Sequence, residues 1–494
     1  MKTVITLIAL LILNTLSAND IVMTVDSNIA DYNGKMISLN GHVIVEHELG
    51  KITADNVEIS AEEADSPSNS HFLTMKDNVN ISLKDGGVLS CAFAEIDYNT
   101  LEGHFHSNEK QEYVVYTEKK SDKSSAPLVL KSRQMVVEIA KGDIKTEKPS
   151  CRFINAIFAN NQVTVNYQND FTAAADYATY QRLEPTNESD SSKQMTGLIA
   201  LRAENEGGQC QVMTRRGDLI KSSHICIDTI KRQLLFAYPK GALSPSQGQQ
   251  RIDFSSDTLI WDAKENILTL RDNVIVNQQG LGILTNDKEI QITQNASKTG
   301  KQLRSIEANG VTVLTFLDEE RLLSHVLVCN GKALIDNQAN KTFMDSPRDA
   351  NGKVLENQQI SFKDDMGEIF ADKLTIDYTM IDDSPLPTKL FLEGHVQILG
   401  RKKVSNEDVG AFLQYAISDE AEYCPQSKEL KLSATGKKRV LFYDRVNSLQ
   451  ISATQLKVRR DQTTNKESVQ GLGDVRFSFV QQELEQMKKQ FQLD

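Results

Sequence analysis

At 494 residues the chain exceeds one ordinary hydrophobic core, for which about 100–200 residues suffice. Its formal charge of -12 argues against a nucleic-acid partner, which needs a basic face. Aromatics are only 6% and prolines number 10, so an aromatic-rich sandwich is disfavoured and aliphatic, Thr-rich strands are expected.

Taken in chain order, residues 1–18 read as a signal peptide. Lys2 gives a positive start, Val4 to Leu16 form an apolar run, and Leu16-Ser17-Ala18 offers small residues for cleavage. The run falls short of the roughly 20 apolar residues of a spanning helix. The expectation is an exported, soluble mature chain; the alternative is a retained anchor.

From there one phrase recurs. Gly50-Lys51-Ile52-Thr53-Ala54-Asp55-Asn56-Val57-Glu58-Ile59 returns as Ile252-Asp253-Phe254-Ser255-Ser256-Asp257-Thr258-Leu259-Ile260 and as Gly367-Glu368-Ile369-Phe370-Ala371-Asp372-Lys373-Leu374-Thr375-Ile376. Each has a second phrase nearby: Leu39-Asn40-Gly41-His42-Val43-Ile44-Val45, Leu270-Arg271-Asp272-Asn273-Val274-Ile275-Val276 and Leu392-Glu393-Gly394-His395-Val396-Gln397-Ile398. Repetition of a strand–turn–strand unit marks a stacked, all-β architecture. Alternation places Ile52, Val57, Ile59, Val274, Val276, Val311, Val313, Ile369, Leu374, Ile376, Val396 and Ile398 on an inner face. Gly or Asn before the Val suits a turn with positive φ, and the recurring Asp suits a hydrogen bond to a neighbouring amide at the bend. A catalytic carboxylate has no reason to recur in nearly every unit.

Ser-rich polar loops at 65–70, 121–125, 187–193 and 244–248 read as insertions at turns. The best candidate break is 184–196, giving repeats over 19–183 and 197–479; the legibility of the units fades between about 108 and 250. At 480–494, Val480, Leu484, Met487 and Phe491 recur at helical spacing, so a short amphipathic helix is expected.

Chemistry is hard to find. The sequence has no GxSxG, HExxH or P-loop, so neither a catalytic residue nor a cofactor is indicated. His104 and His106 alternate on one strand, but tight metal sites need three or four ligands, so no metal is assigned. The six cysteines lack CxxC spacing and suit buried strand positions; Cys210 and Cys226 are the nearest candidates for a disulfide.

The pattern Y-x-G-x(4)-L-x-G-x-V-x-V at Tyr32 to Val45, followed by K-I-T-A-D-x-V at Lys51 to Val57, resembles the OstA-like periplasmic proteins of lipopolysaccharide transport. The resemblance is clearest over 21–105 and 250–480. It implies a twisted, V-shaped β-jellyroll whose aliphatic trough shelters lipid A acyl chains of lipopolysaccharide. It also implies a non-enzymatic periplasmic carrier that meets other β-jellyroll transport proteins edge to edge. Two rival readings are an envelope scaffold with a self-filled core and a β-solenoid polysaccharide-processing enzyme. This chain carries several times the usual number of units, and nothing in its second half indicates a membrane barrel.

Overall fold

A computed structural model describes residues 24–478 apart from 48, 62–70, 85, 98–99, 119–126, 142–151, 168–169, 183–196, 205–206, 216, 244–250, 279–281, 298–299, 319–322, 364–366, 382–383, 402–411, 446–447 and 461–466. The expected signal peptide, the C-terminal helix and all four Ser-rich loops lie outside the described residues. The described residues are all-β, with no helix among them, and every strand pairing is antiparallel. The chain separates into a first unit ending at Glu204 and a second beginning at Asn205.

Each unit is built the same way. A strand runs in one ladder, bends, and continues in a second ladder; its hairpin partner retraces the path. In Met36–His47, residues 36–40 pair with 56–60 while 43–47 pair with 50–54 of Gly50–Ala61. In His71–Leu83 the same break falls between Lys76 and Val79. The bend of Val88–Asp97 shows in burial: Cys91 and Ala92 are consecutive buried residues where strict alternation would expose one. The stretch between 108 and 250 follows the same plan. Val114–Glu118 and Leu128–Ser132 extend one ladder, and Gln134–Lys141 extends the other.

Two kinds of bend alternate, and they are the two sequence phrases. One carries a pair of left-handed residues: Gly41-His42, Asp77-Asn78, Asp272-Asn273, Gly394-His395 and Gly473-Asp474 all have positive φ. Gly has no Cβ to clash there, and Asn and Asp tolerate the region better than other residues. The other bend carries the recurring Asp, whose side chain grips the left-handed turn of a neighbouring level. Asn78 Nδ2 donates to Asp55 Oδ2 at 2.6 Å, and Asn273 Nδ2 to Asp257 Oδ2 at 2.7 Å. His395 Nδ1 lies 2.8 Å from Asp372 Oδ2. Elsewhere the donor is backbone: Glu204 N to Asp176 at 2.8 Å and Thr435 N to Asp419 at 2.7 Å. Backbone bonds run along the same line, including Asp257 N to Asp272 O at 3.0 Å and Asp272 N to Lys288 O at 2.8 Å.

The bends fold two apolar faces together. In the first unit Tyr116 and Tyr180, one from each ladder, meet with ring centroids 6.1 Å apart, and both are fully buried. Cys91 lies in this interior, where burial pushes its thiol up to about 12. Cys210 and Cys226 are both free thiols, so the candidate disulfide is not formed. Cys210 is fully buried, whereas Cys226 alternates with the buried Ile225 and Ile227 and points outward.

The carboxylates at the bends are stabilising in proportion to their enclosure. Asp372, buried, also accepts from Gln359 Nε2 at 2.7 Å. Asp372→Ala removes both bonds and is expected to lower the unfolding free energy by about 1–2 kcal/mol in urea titrations. At Asp419, burial raises the pKa, but the bonds from Lys438 and Thr435 outweigh it and hold the carboxyl below its ordinary value. A depressed folded pKa contributes stability above the unfolded value, about 3.9, that is lost as pH falls through the folded pKa. Asp419→Asn is therefore expected to be less stable than the parent at pH 7, with the gap narrowing as pH drops below about 4.

Candidate functional site

The candidate site is the inner face of the second unit, and its lining can be followed strand by strand. In one ladder a single row of cross-strand neighbours starts with Ile227, Leu234, Trp261, Leu268 and Ile292. It continues through Ile306, Ile335, Thr342, Ile376 and Leu390, then Tyr423, Leu430 and Val458. In the other ladder a matching row runs Phe254, Val276, Leu284, Leu314 and Leu327, then Phe362, Ile369 and Ile398. Among these residues only Trp261, Thr342 and Tyr423 carry a polar side-chain atom.

Burial changes along the rows. Ile227 through Ile292 are sealed, none more than 5% exposed. From Ile306 to Val458 the members are half-buried, Thr342 excepted. Across from them Leu284, Leu314, Phe362, Ile369 and Ile398 are also half-buried, whereas Leu327 and the continuation of that row through Ala416, Phe442 and Ile451 are buried. The row one step nearer the bend, including Ala308, Ala333, Leu374, Leu392, Ala421 and Leu432, stays buried throughout. The interior is thus closed at the bend and accessible away from it: an apolar groove. Eight strands at about 4.8 Å spacing carry its Ile306–Val458 wall, a length of roughly 34 Å.

The first unit differs. Its corresponding row, Leu73, Ile96, Gly103, Val137, Ile157, Tyr180 and Ile199, is buried at every position. Only Ile37 and Ile59, at the start of the row, are half-buried.

The twelve residues assigned to the inner face by alternation divide accordingly. Ile369, Ile376 and Ile398 line the groove. Leu374 and Val396 lie beside the bend beneath it, and Val274 and Val276 are buried at its closed end. Ile52 and Val57 are core of the first unit, and Ile59 sits at the open start of its row. Val311 and Val313 are corrected: they lie on the outer face, with Val311 40% exposed. Thr312 takes the inner position instead, beside Asn286 and Cys329, all three buried. The physical reason is the bend. Other copies place two left-handed residues before the Val; here only Gly310, at φ 104°, is left-handed. The β-branched Val311 occupies the second turn position, and its backbone N donates to Asp287 Oδ1 at 2.7 Å where Asn273 uses its side chain. The phase of the strand shifts by one residue. Leu284, Leu314, Phe362, Ile306, Ile335, Leu390 and Leu430 were not singled out from sequence; correct phasing at Gly310, and counting by two from the bends elsewhere, finds them.

Polar clusters offer little chemistry. His104 Nε2 lies 3.3 Å from Glu102 Oε1, and the His106 ring sits 6.0 Å from that of Phe93. Among the described residues no three His, Cys, Asp or Glu side chains gather as metal ligands. No family model matches the chain, and no curated protein matches it.

The face reversal predicts unequal responses to one substitution type. Leu314→Asp puts a charge into the half-buried apolar row and is expected to cost about 2–4 kcal/mol of stability. Val313→Asp on the outer face is expected to cost under about 1 kcal/mol, and the two denaturation midpoints measure the difference.

Proposed function

We propose that the chain is a non-enzymatic carrier of acyl-chain amphiphiles, in keeping with its resemblance to OstA-like proteins of lipopolysaccharide transport. The observation that carries this reading is the half-buried aliphatic groove of the second unit. Each methylene withdrawn from water contributes about 0.8 kcal/mol, so a groove roughly 34 Å long can hold hydrocarbon strongly. That length is comparable to the roughly 30 Å hydrocarbon thickness of a bilayer. A peptide is a poor occupant. Its amides and carbonyls would face half-buried rows, from Ile306 and Leu284 onward, whose only polar side-chain atoms are the hydroxyls of Thr342 and Tyr423, while the ladder backbones are already paired strand to strand. Lipopolysaccharide is the proposed cargo and the periplasm the proposed compartment. The proposed protein partners are β-jellyroll transport proteins that add to a terminal strand. Exposed Ile29 and Tyr32 at the first edge and Phe477 at the last give such a partner apolar surface to cover.

A scaffold role is the second reading, favoured by the sealed core of the first unit. Photocrosslinking separates the two. A benzophenone side chain at Ile376 or Ile398 of delipidated protein is expected to capture lipid A, whereas one at Val313 or Ile275 is not. Ile376→Asp is expected to weaken lipid A binding at least about tenfold, equivalent to 1.4 kcal/mol. Equal capture at inner and outer positions, or none at either, would sink the carrier reading and leave the scaffold.

A further inference from the structure

The groove is closed at one end by the protein's own side chains. In the ladder that bears Ile306, the three preceding members of the row are Ile292, Leu268 and Trp261, each at most 5% exposed. The facing ladder brings Phe254 and Val276 to the same end, both buried. The row beside the bend reinforces the closure. It holds Phe236, Leu259, Leu270 and Ile290 in the sealed stretch but includes Ala308 and Ala333 where the groove opens. At the opposite end Val458 and Val469 are half-buried and Phe477 is exposed, while Phe442 and Ile451 in the facing ladder are buried.

We infer that the groove is blind: acyl chains occupy the stretch from Leu284 to Val458 and stop at a plug formed by Ile292, Leu268 and Trp261. This rests on the carrier reading and adds a direction to it. Cargo loads and leaves through the open stretch and does not slide on toward residues 224–271. Passage that way would require displacing large side chains that are already buried. The second unit then acts as a holder that gives up its ligand only along the open stretch.

Trp261 is the only tryptophan of the chain and forms the far side of the plug, two strands beyond Ile292, so it reports on passage. The delipidated full chain is given a long-chain fatty acid carrying a diazirine on its terminal carbons, with retention of radiolabelled ligand measured separately. After irradiation, adducts are expected within 282–472 and none within 224–271. A fatty acid brominated along its chain is expected to bind without quenching Trp261 emission. Adducts on the strands bearing Leu234, Leu259 or Trp261, or quenching that tracks occupancy, would overturn the plug while leaving the carrier reading intact. Retention with adducts in neither stretch would place the ligand outside the groove and overturn the inference. Failure of any acyl ligand to be retained would instead remove the carrier reading itself.

Discussion

The grip of a bend carboxylate on the left-handed turn of a neighbouring level is the contact on which the rest of the fold depends. A non-glycine residue in the left-handed region costs about 1–2 kcal/mol in sterics, and bends such as Asp77-Asn78 and Asp272-Asn273 place two in succession. Asp55 and Asp257 offset that strain by accepting from the turn's own Asn side chain. The bond also fixes which residue of each strand is the last before the corner. Because side chains alternate with period two, fixing the corner fixes the face of every residue beyond it. Levels whose corners align therefore align their inner rows, and a continuous apolar surface results without any single residue being special.

That surface is graded by distance from the bend. Next to the corner everything is buried, from Phe236 to Leu456. One step out, burial varies along the row: Trp261 and Leu268, beside Leu259 and Leu270, are sealed, whereas Ile335 and Ile376, beside Ala333 and Leu374, are half-buried. The same alternating pattern thus produces core in one stretch and groove in another. Aliphatic branching suits the groove, since Ile, Leu and Val present hydrocarbon with few polar atoms to satisfy.

Much of this was legible in the sequence because the bends announce themselves. Gly394-His395-Val396 and Asp272-Asn273-Val274 mark the left-handed turns, and Asp372 and Asp257 mark their partners. The phase failed at Gly310, where the second turn position is held by Val311 rather than by a left-handed residue. A shift of one position reverses every face that follows, which is why Val311 and Val313 fall outside and Thr312 and Leu314 inside. The difference between core and groove was not legible. Ile52 and Ile369 occupy the same place in the repeated phrase, yet one is fully buried and the other half-buried. Burial of a strand residue depends on what packs over its face, and the phrase that carries it does not encode that.

The alternation of hairpins between two ladders has a further consequence for how each unit loses structure. Every level bonds only to the levels before and after it, as Ile267–Arg271 does to Thr258–Asp262 and Glu289–Ser297. Such an array behaves as a one-dimensional chain of nearest-neighbour couplings rather than as one indivisible transition. Levels at an edge can fray and re-form while those behind them hold, and the free energy of opening rises with distance from the edge. The half-buried inner rows belong to the levels of such an array, so their opening is graded strand by strand along the groove.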